Sequence, residues 1–303
     1  MKPSERLNCL TARLAGHKQL TQIGWADVLH SAAAWYGPAR RSIRSRMHVE
    51  QFSKDLVWVE LGPYGLAWPA AVPVERLAVP LAELWVPTNA HYYFHALTPV
   101  RAGDVVVDVG ACEGSFAVEC VHRFGAATVY AFEPSRSMAH ALRTTARRNG
   151  LTDRLQVIEA AVADRLGAVE FVDDPINPLV SRVAPSPLAG SWNDAGGWTS
   201  RGVPQLPLDE WSAANGIGRL DYLKIDAEGS DLAVLVGARD TLRRWRPAIA
   251  VTTYHEPEHC EQMVDFLRSL DVGYVFHAKG VVSFGRSARP VMLHCAVPDR
   301  RVE

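Results

Sequence analysis

Residues 105–114 read VVVDVGACEG, a run of valines closed by an acid and two glycines. Apolar residues without alternation mark a strand buried on both faces, and the glycines mark a tight turn into a helical segment, Ser115 to Phe124. Outward from this stretch, apolar runs recur at Thr128 to Phe132, Leu155 to Ala160, Tyr222 to Ile225 and Ala248 to Thr252. Between several of them lie segments of helical character: Ser137 to Asn149, Ser230 to Trp245 and Glu258 to Leu270. This alternation predicts a doubly wound α/β fold, a mostly parallel Rossmann-like sheet with helices on both faces. The final stretch, GYVFHAKGVVSFGRSARPVMLHCAVP, carries strand-like pieces and no helical period, which suits an antiparallel C-terminal edge.

Composition narrows the partners. The 303 residues are 48% hydrophobic and 21% charged with a formal net charge of −1, so the chain has neither a disordered composition nor the basic excess of a nucleic-acid binder. No window reaches the ~18–20 apolar residues of a membrane span and the first residues lack a signal-like apolar core, so a cytoplasmic protein with a small-molecule partner is expected. Five cysteines without a C-x-x-C pair read as reduced thiols. Cys112 and Cys120 are expected on the opening helix.

Residues 1–100 form an N-terminal extension of different texture. Helices joined by a turn at Gly37-Pro38 are expected there, with Arg40, Arg41, Arg44 and Arg46 on a solvated face. A hairpin follows around Gly62-Pro63-Tyr64-Gly65. The extension reads as a cap with substrate or dimer contacts, and its apolar, Trp-bearing character suits a homodimer. Residues 101–303 form the core domain. Within it, residues 173–204 are rich in Pro, Gly, Ser, Asn and Asp and too long for an idle connection, so they read as a lid or a decorated surface loop.

The turn at Gly110 and Gly114 lies where open α/β sheets bind ligands, and glycine lets a ligand approach the backbone. A dinucleotide fingerprint needs G-x-G-x-x-G. Here the glycines are four apart around Ala111, and Asp108 places negative charge where a pyrophosphate would lie. Glu133 ends the second strand, roughly 25 residues further on, where a carboxylate can accept from both hydroxyls of a ribose. An adenosine cofactor without phosphates fits this pattern, and S-adenosylmethionine is such a cofactor.

The succession DVVVDVGACEGSFA, VYAFEP, RRNGL, VIEAAVAD, LPLDEW and DYLKIDAEGSDLAVLVGA resembles the FkbM family of S-adenosylmethionine-dependent methyltransferases. The likeness begins at ELWVPTNAHYYF, continues to VMLHCAVP and covers about two thirds of the chain. It implies a methyltransferase sheet in which Asp108, Gly110, Ala111 and Gly114 face the methionine end of the cofactor, Glu133 the ribose and Ala160 to Val162, with Ala161 at the centre, the adenine edge. It also implies that Asp226, ending its strand in KIDAEG, meets both cofactor and acceptor. Cys112-Glu113 departs from the family pattern. Glu113 then adds a negative charge beside a helix N-terminus, for which helix capping is the plain reading.

Asp226 and Glu228 follow one buried strand, and TYHEPEH brings Tyr254, His255 and Glu256 to the end of the next. Neighbouring strands stand close to 5 Å apart, so these groups can share a target. Methyl transfer needs a nucleophile that loses its proton, and His255 is the candidate base, with Asp226 and Glu228 beside it. Asp231 reads as a first-turn dipole partner. Asp226 with His255 or Glu256 could instead hold a divalent cation, Mg²⁺, near vicinal oxygens of the acceptor. Tyr93, with His91 and Tyr92, could cover the cofactor. The expectation is an O-methyltransferase acting on a hydroxyl of a small polar acceptor, a sugar or a specialised metabolite. An N-methyltransferase, an NAD(P)-linked oxidoreductase and a catalytically silent binding protein are the alternatives, and the missing third glycine counts against the oxidoreductase.

Overall fold

The β-branched runs become strands of one seven-stranded sheet in a computed structural model that describes residues 14, 23–33, 36–174, 181–183, 199–284 and 287–298. The N-terminal extension contributes α1 (Trp25–Ala33), α2 (Gly37–Arg44), and an antiparallel sheet of β1 (His48–Gln51), β2 (Leu56–Glu60) and β3 (Gly65–Pro69). A 3₁₀ turn and α3 (Ala78–Trp85) follow. The core continues with β4 (Val105–Val109), α4 (Ser115–His122), β5 (Thr128–Phe132), α5 (Arg136–Arg148) and β6 (Leu155–Ile158). Then come β7 (Ala161–Val162), β8 (Gly167–Asp173), β9 (Arg182–Val183), β10 (Thr199–Leu206) and α6 (Leu208–Ala214). The last elements are β11 (Tyr222–Ile225), α7 (Asp231–Val236), α8 (Arg239–Trp245), β12 (Ala248–Thr252), α9 (His259–Ser269), β13 (Val275–Phe284) and β14 (Ser287–Ala296).

The large sheet has the order β13-β14-β12-β11-β4-β5-β6. Its five strands from β12 to β6 are parallel, and β14 runs antiparallel to both β12 and β13, giving the expected antiparallel edge. Successive residues of each central strand feed opposite cores. Val106, Tyr222 and Ala250 join one cluster, while Val107, Leu223 and Ile249 join the other. This is the two-sided burial that the unbroken valines announced.

The extension closes one face of that sheet. Leu66, Trp68, Leu77, Leu81 and Leu84 share a cluster with Val106 and Val129, each buried leucine contributing about 1.5–3 kcal/mol. Polar bonds fix the seat. The Asn149 amide nitrogen donates to the Gly65 carbonyl at 2.8 Å, and the Thr145 hydroxyl accepts from the Ala67 N–H at 2.9 Å, so α5 satisfies the edge of β3. Buried Glu119 on α4 accepts from the Tyr64 hydroxyl and from Trp85 Nε1.

Several elements depart from the expectation. The helix read over Ser230 to Trp245 is two helices, α7 and α8. Gly237 stands at the break between them, where a Cβ would collide with the Ala163 carbonyl. Residues 173–204 are not one loop: β9 and β10 join β7 and β8 in a four-stranded sheet of order β7-β10-β8-β9. The remainder of the expected lid, residues 175–180 and 184–198, lies outside the described residues, as does Cys9. Cys112 sits in the turn before α4, not on it, in the left-handed region at φ 51°. No helix among the described residues is long and apolar enough to cross a membrane.

The chain order reverses between β4 and β11, and this switch point places the site. The two strand ends pack so closely that a Cβ on Gly110, at φ +75°, would collide with the Asp226 carbonyl. Gly114, at φ +93°, abuts Leu142 of α5 in the same way. Both glycines are required by protein packing before any ligand is considered.

Candidate active site

A cavity of about 460 Å³ opens over the carboxyl ends of β4, β5 and β11, within the ~300–1,000 Å³ range of small-molecule sites. On the β5 side it is bounded by Phe132, Glu133 and Ala160–Val162, with Phe171 and Val183 from the second sheet. The β11 side has Asp226, Glu228 and Tyr254, faced by Glu83, His91 and Tyr93 of the extension. Gly110, Ala111, Cys112 and Glu113 lie on the turn between them.

Glu133 is buried, and its two oxygens accept from the N–H groups of Cys112 and Ser135, each at 2.7 Å. Each oxygen keeps a second lone pair. Burial pushes the carboxyl up to about 7 against the pull of these bonds. The walls beside it are apolar, so this end suits a flat ring carried on a vicinal diol.

Lys224 supports the turn from beneath. Its ammonium donates to the Gly110 carbonyl at 2.6 Å and lies 3.0 Å from Asp108 Oδ1. Burial opposes the charge, but the Asp108 and Asp226 carboxylates outweigh it and hold Lys224 above the ordinary lysine value. Asp108 itself is fully buried and does not line the cavity, and neither does Gly114.

Asp231, fully buried at the start of α7, organises the β11 side. Its Oδ1 accepts from the Ala227 N–H at 2.8 Å and the Thr252 hydroxyl at 2.9 Å. Its Oδ2 accepts from the Gly229 N–H at 3.1 Å and bonds His255 Nδ1 at 3.0 Å. Burial opposes its ionisation, yet the bonds to His255 and the backbone hold it below the usual aspartate value. Asp231 stands in the first turn of α7, as expected of a dipole partner, and beyond that role it orients His255.

His255 Nε2 points toward Glu228 Oε2 at 3.5 Å and Asp226 Oδ1 at 3.8 Å. Burial disfavours the charged ring, but the surrounding Asp231, Glu228 and Asp226 carboxylates outweigh it and push His255 up to about 11. The ring carries its proton at neutral pH. Asp226 Oδ2 accepts from the Tyr93 hydroxyl at 2.7 Å, and Tyr93 is itself fixed by the Tyr222 hydroxyl, which donates to its carbonyl. Glu228 holds a left-handed φ of 49°, like Cys112. Such strain, on the order of 1–3 kcal/mol per residue, collects at functional sites.

The donor set bears directly on Mg²⁺. Asp226, Glu228 and His255 each offer one ligand atom within 4.8 Å of the others. Mg²⁺ prefers an all-oxygen octahedral set and keeps several waters. Here one of the three donors is an imidazole nitrogen and Asp226 Oδ2 is already bonded to Tyr93, so the cluster departs from the all-oxygen set that Mg²⁺ prefers. Glu256, the other ligand considered, is exposed outside the cluster.

Across the cavity, burial and then repulsion from Asp226 push Glu83 up to about 8. Burial lowers His91 to about 4, so its ring is neutral where it meets the edge of Tyr254 at 5.1 Å. A pH dependence follows. His255, Glu83 and Glu133 all have folded pKa values above their unfolded ones, so their stabilising contributions are complete below the unfolded values and decline as pH rises toward about 11, 8 and 7. The His91 contribution, from a lowered pKa, is already complete above about 6.5. The ligand-free protein should therefore melt at a lower temperature at pH 8 than at pH 6.5; a flat or rising profile in a thermal scan would contradict these environments.

Of the residues singled out in the sequence, Gly110, Ala111, Glu133, Ala161, Tyr93, Asp226 and Glu228 line the cavity, and His255 stands behind the last two. Tyr92 does not line it. Glu113 makes no helix cap: the N-cap is Gly114, without a side-chain cap bond. Sequence reasoning gave no role to Lys224 or Glu83. A lysine inside an apolar strand was a readable signal, since a buried ammonium must be paired. Glu83 carries no local signal.

Residues 108–276 match the model of the methyltransferase FkbM domain. The chain is 32% identical over 174 residues to the 31-O-demethyl-FK506 methyltransferase FkbM of Streptomyces tacrolimicus, covering 50% of this chain and 66% of that protein. It is 26% identical over 190 residues to the 2-O-methyltransferase NoeI of Sinorhizobium fredii (strain NBRC 101917 / NGR234), covering 55% of this chain and 70% of that one. The chain thus spans about two thirds of the length of these relatives. A crystal structure of methyltransferase FkbM from Methylobacillus flagellatus KT superposes with a TM-score of 0.48 at 17% identity, covering 86% of this chain and 58% of that chain.

Proposed function

Since the chain belongs to the FkbM methyltransferase family, we propose that it is an O-methyltransferase that moves a methyl group from S-adenosylmethionine to a hydroxyl of a small polar acceptor, of the sugar or specialised-metabolite class. The observation that carries the reading is one continuous cavity with a buried carboxylate, Glu133, at one strand end and the Asp226–Glu228–His255 cluster on the other side. Both relatives bear names that describe methylation of an oxygen, in keeping with it.

S-adenosylmethionine supplies a methyl group on a sulfonium, a leaving group that needs no acid. The protein's task is to align the acceptor and take its proton. On the donor side, Glu133 receives the ribose hydroxyls and Ala160–Val162 flank the adenine. On the acceptor side, Tyr93 and Tyr254 pack against the substrate. His255 already holds its proton, so the base is reassigned to Glu228, which lines the cavity and whose carboxyl burial raises above the ordinary glutamate value, making it a stronger acceptor. His255, fixed by Asp231, is the imidazolium that balances the charge. No step passes through a metal.

The test is turnover against a panel of sugars and other alcohols, read as S-adenosylhomocysteine release. Glu228→Gln should lower kcat by about 10²–10⁴-fold with S-adenosylhomocysteine affinity intact, and activity should survive EDTA. Near-normal kcat in the variant would remove Glu228 as the base, and loss of activity to EDTA that Mg²⁺ restores would reinstate the cation.

A further inference from the structure

Glu113 is 1% exposed and lines the cavity, and its carboxylate meets no donor among the described residues stronger than the neighbouring Cys112 thiol. The other cavity carboxylates are accounted for: Glu133 by two backbone N–H groups, Asp226 by Tyr93, Glu228 by its approach to His255, and Glu83 by its approach to His91 and the burial that pushes it up to about 8. Glu113 does not serve α4 either, because no side chain caps that helix. The neighbouring Cys112 thiol is only a weak donor, held protonated by burial and by the charges of Glu113 and Glu133. Lys224 is taken up by Asp108 and by the carbonyls of Val109 and Gly110. A buried carboxylate without a strong donor is costly, and a ligand that brings a cation relieves the cost.

We propose that Glu113 is the docking point for a protonated amine of the ligand that fills this cavity. An ammonium offers three donors to a carboxylate and neutralises it. Within the S-adenosylmethionine reading, on which the inference rests, two sources carry that chemistry: the amino-acid tail of the methyl donor and an amine on the acceptor. Relief of the charge on the turn also eases the crowding of Glu83, whose proton is held partly by Glu113.

The experiment compares wild type and Glu113→Gln by calorimetric titration with S-adenosylhomocysteine and with 5′-methylthioadenosine, which lacks the amino-acid tail. Glucosamine and glucose are then titrated onto each protein saturated with S-adenosylhomocysteine. If the donor brings the amine, the variant binds S-adenosylhomocysteine at least tenfold more weakly and 5′-methylthioadenosine unchanged. If the acceptor brings it, S-adenosylhomocysteine affinity is unchanged, wild type prefers glucosamine to glucose, and the variant loses the preference. Equal loss for both adenosyl ligands, or no change together with no glucosamine preference, overturns the proposal. The ligand-free variant should melt no lower than wild type; a lower melting temperature would mean that the carboxylate has a protein partner, which also overturns it. A wild type that binds neither adenosyl ligand fails the methyl-donor reading itself and takes this inference with it.

Discussion

Asp231→Ala is expected to lower folding stability by about 3–5 kcal/mol and to abolish methyl transfer. The carboxylate is fully buried and joins four groups: two backbone N–H groups of the turn after β11, the Thr252 hydroxyl and His255. Its removal strands the His255 imidazolium in a site where side-chain exposure is 9%, and it frees the turn that carries Glu228. Asp231→Asn keeps the volume but places an amide N–H against a donor already present, so it should recover little. Chemical denaturation gives the measurement. A loss below about 1 kcal/mol, the ordinary size of a surface effect, would show that Asp231 does not hold the site together.

Asp108→Ala should cost a similar amount, about 3–5 kcal/mol, because it leaves the buried Lys224 ammonium with carbonyl hydrogen bonds and only the more distant charge of Asp226. The double variant Asp108→Ala/Lys224→Met should regain much of that loss, since an apolar pair removes the stranded charge along with its partner. A double-mutant cycle reads the coupling directly. Additive losses would contradict the pairing. The sequence assigned Asp108 to the ligand; its geometry assigns it to Lys224, so its effect on cofactor affinity is expected only through the turn that Lys224 supports.

These two cases show what was legible in the chain. β4, β5, β11 and β12 were readable because each is a short, mostly apolar run, interrupted only by Asp108 in β4 and Lys224 in β11, and closed by glycine, an acid or threonine. The division between α7 and α8 was not, because the close approach of Gly237 to the Ala163 carbonyl, far away in sequence, leaves no local signal. The second sheet was hidden because Thr199–Leu206 contains glycine and proline and reads as loop. At the site, Asp226, Glu228 and His255 were visible as charged residues just past buried strands. The role of Asp231 depended on His255, 24 residues on, and a helix-start aspartate has a simpler local explanation. Glu83 reaches the cavity only because the extension packs over the sheet.

The cavity between Glu133 and Asp226 is proposed to receive an adenosyl methyl donor, and calorimetric titration of the full chain with S-adenosylhomocysteine and, separately, with NAD⁺ decides it. Saturable binding of S-adenosylhomocysteine is expected, strengthening between pH 6 and pH 8 as Glu133, held at about 7 by burial, ionises to accept the ribose hydroxyls, with no saturable binding of NAD⁺. Saturable binding of NAD⁺ without binding of S-adenosylhomocysteine would contradict it.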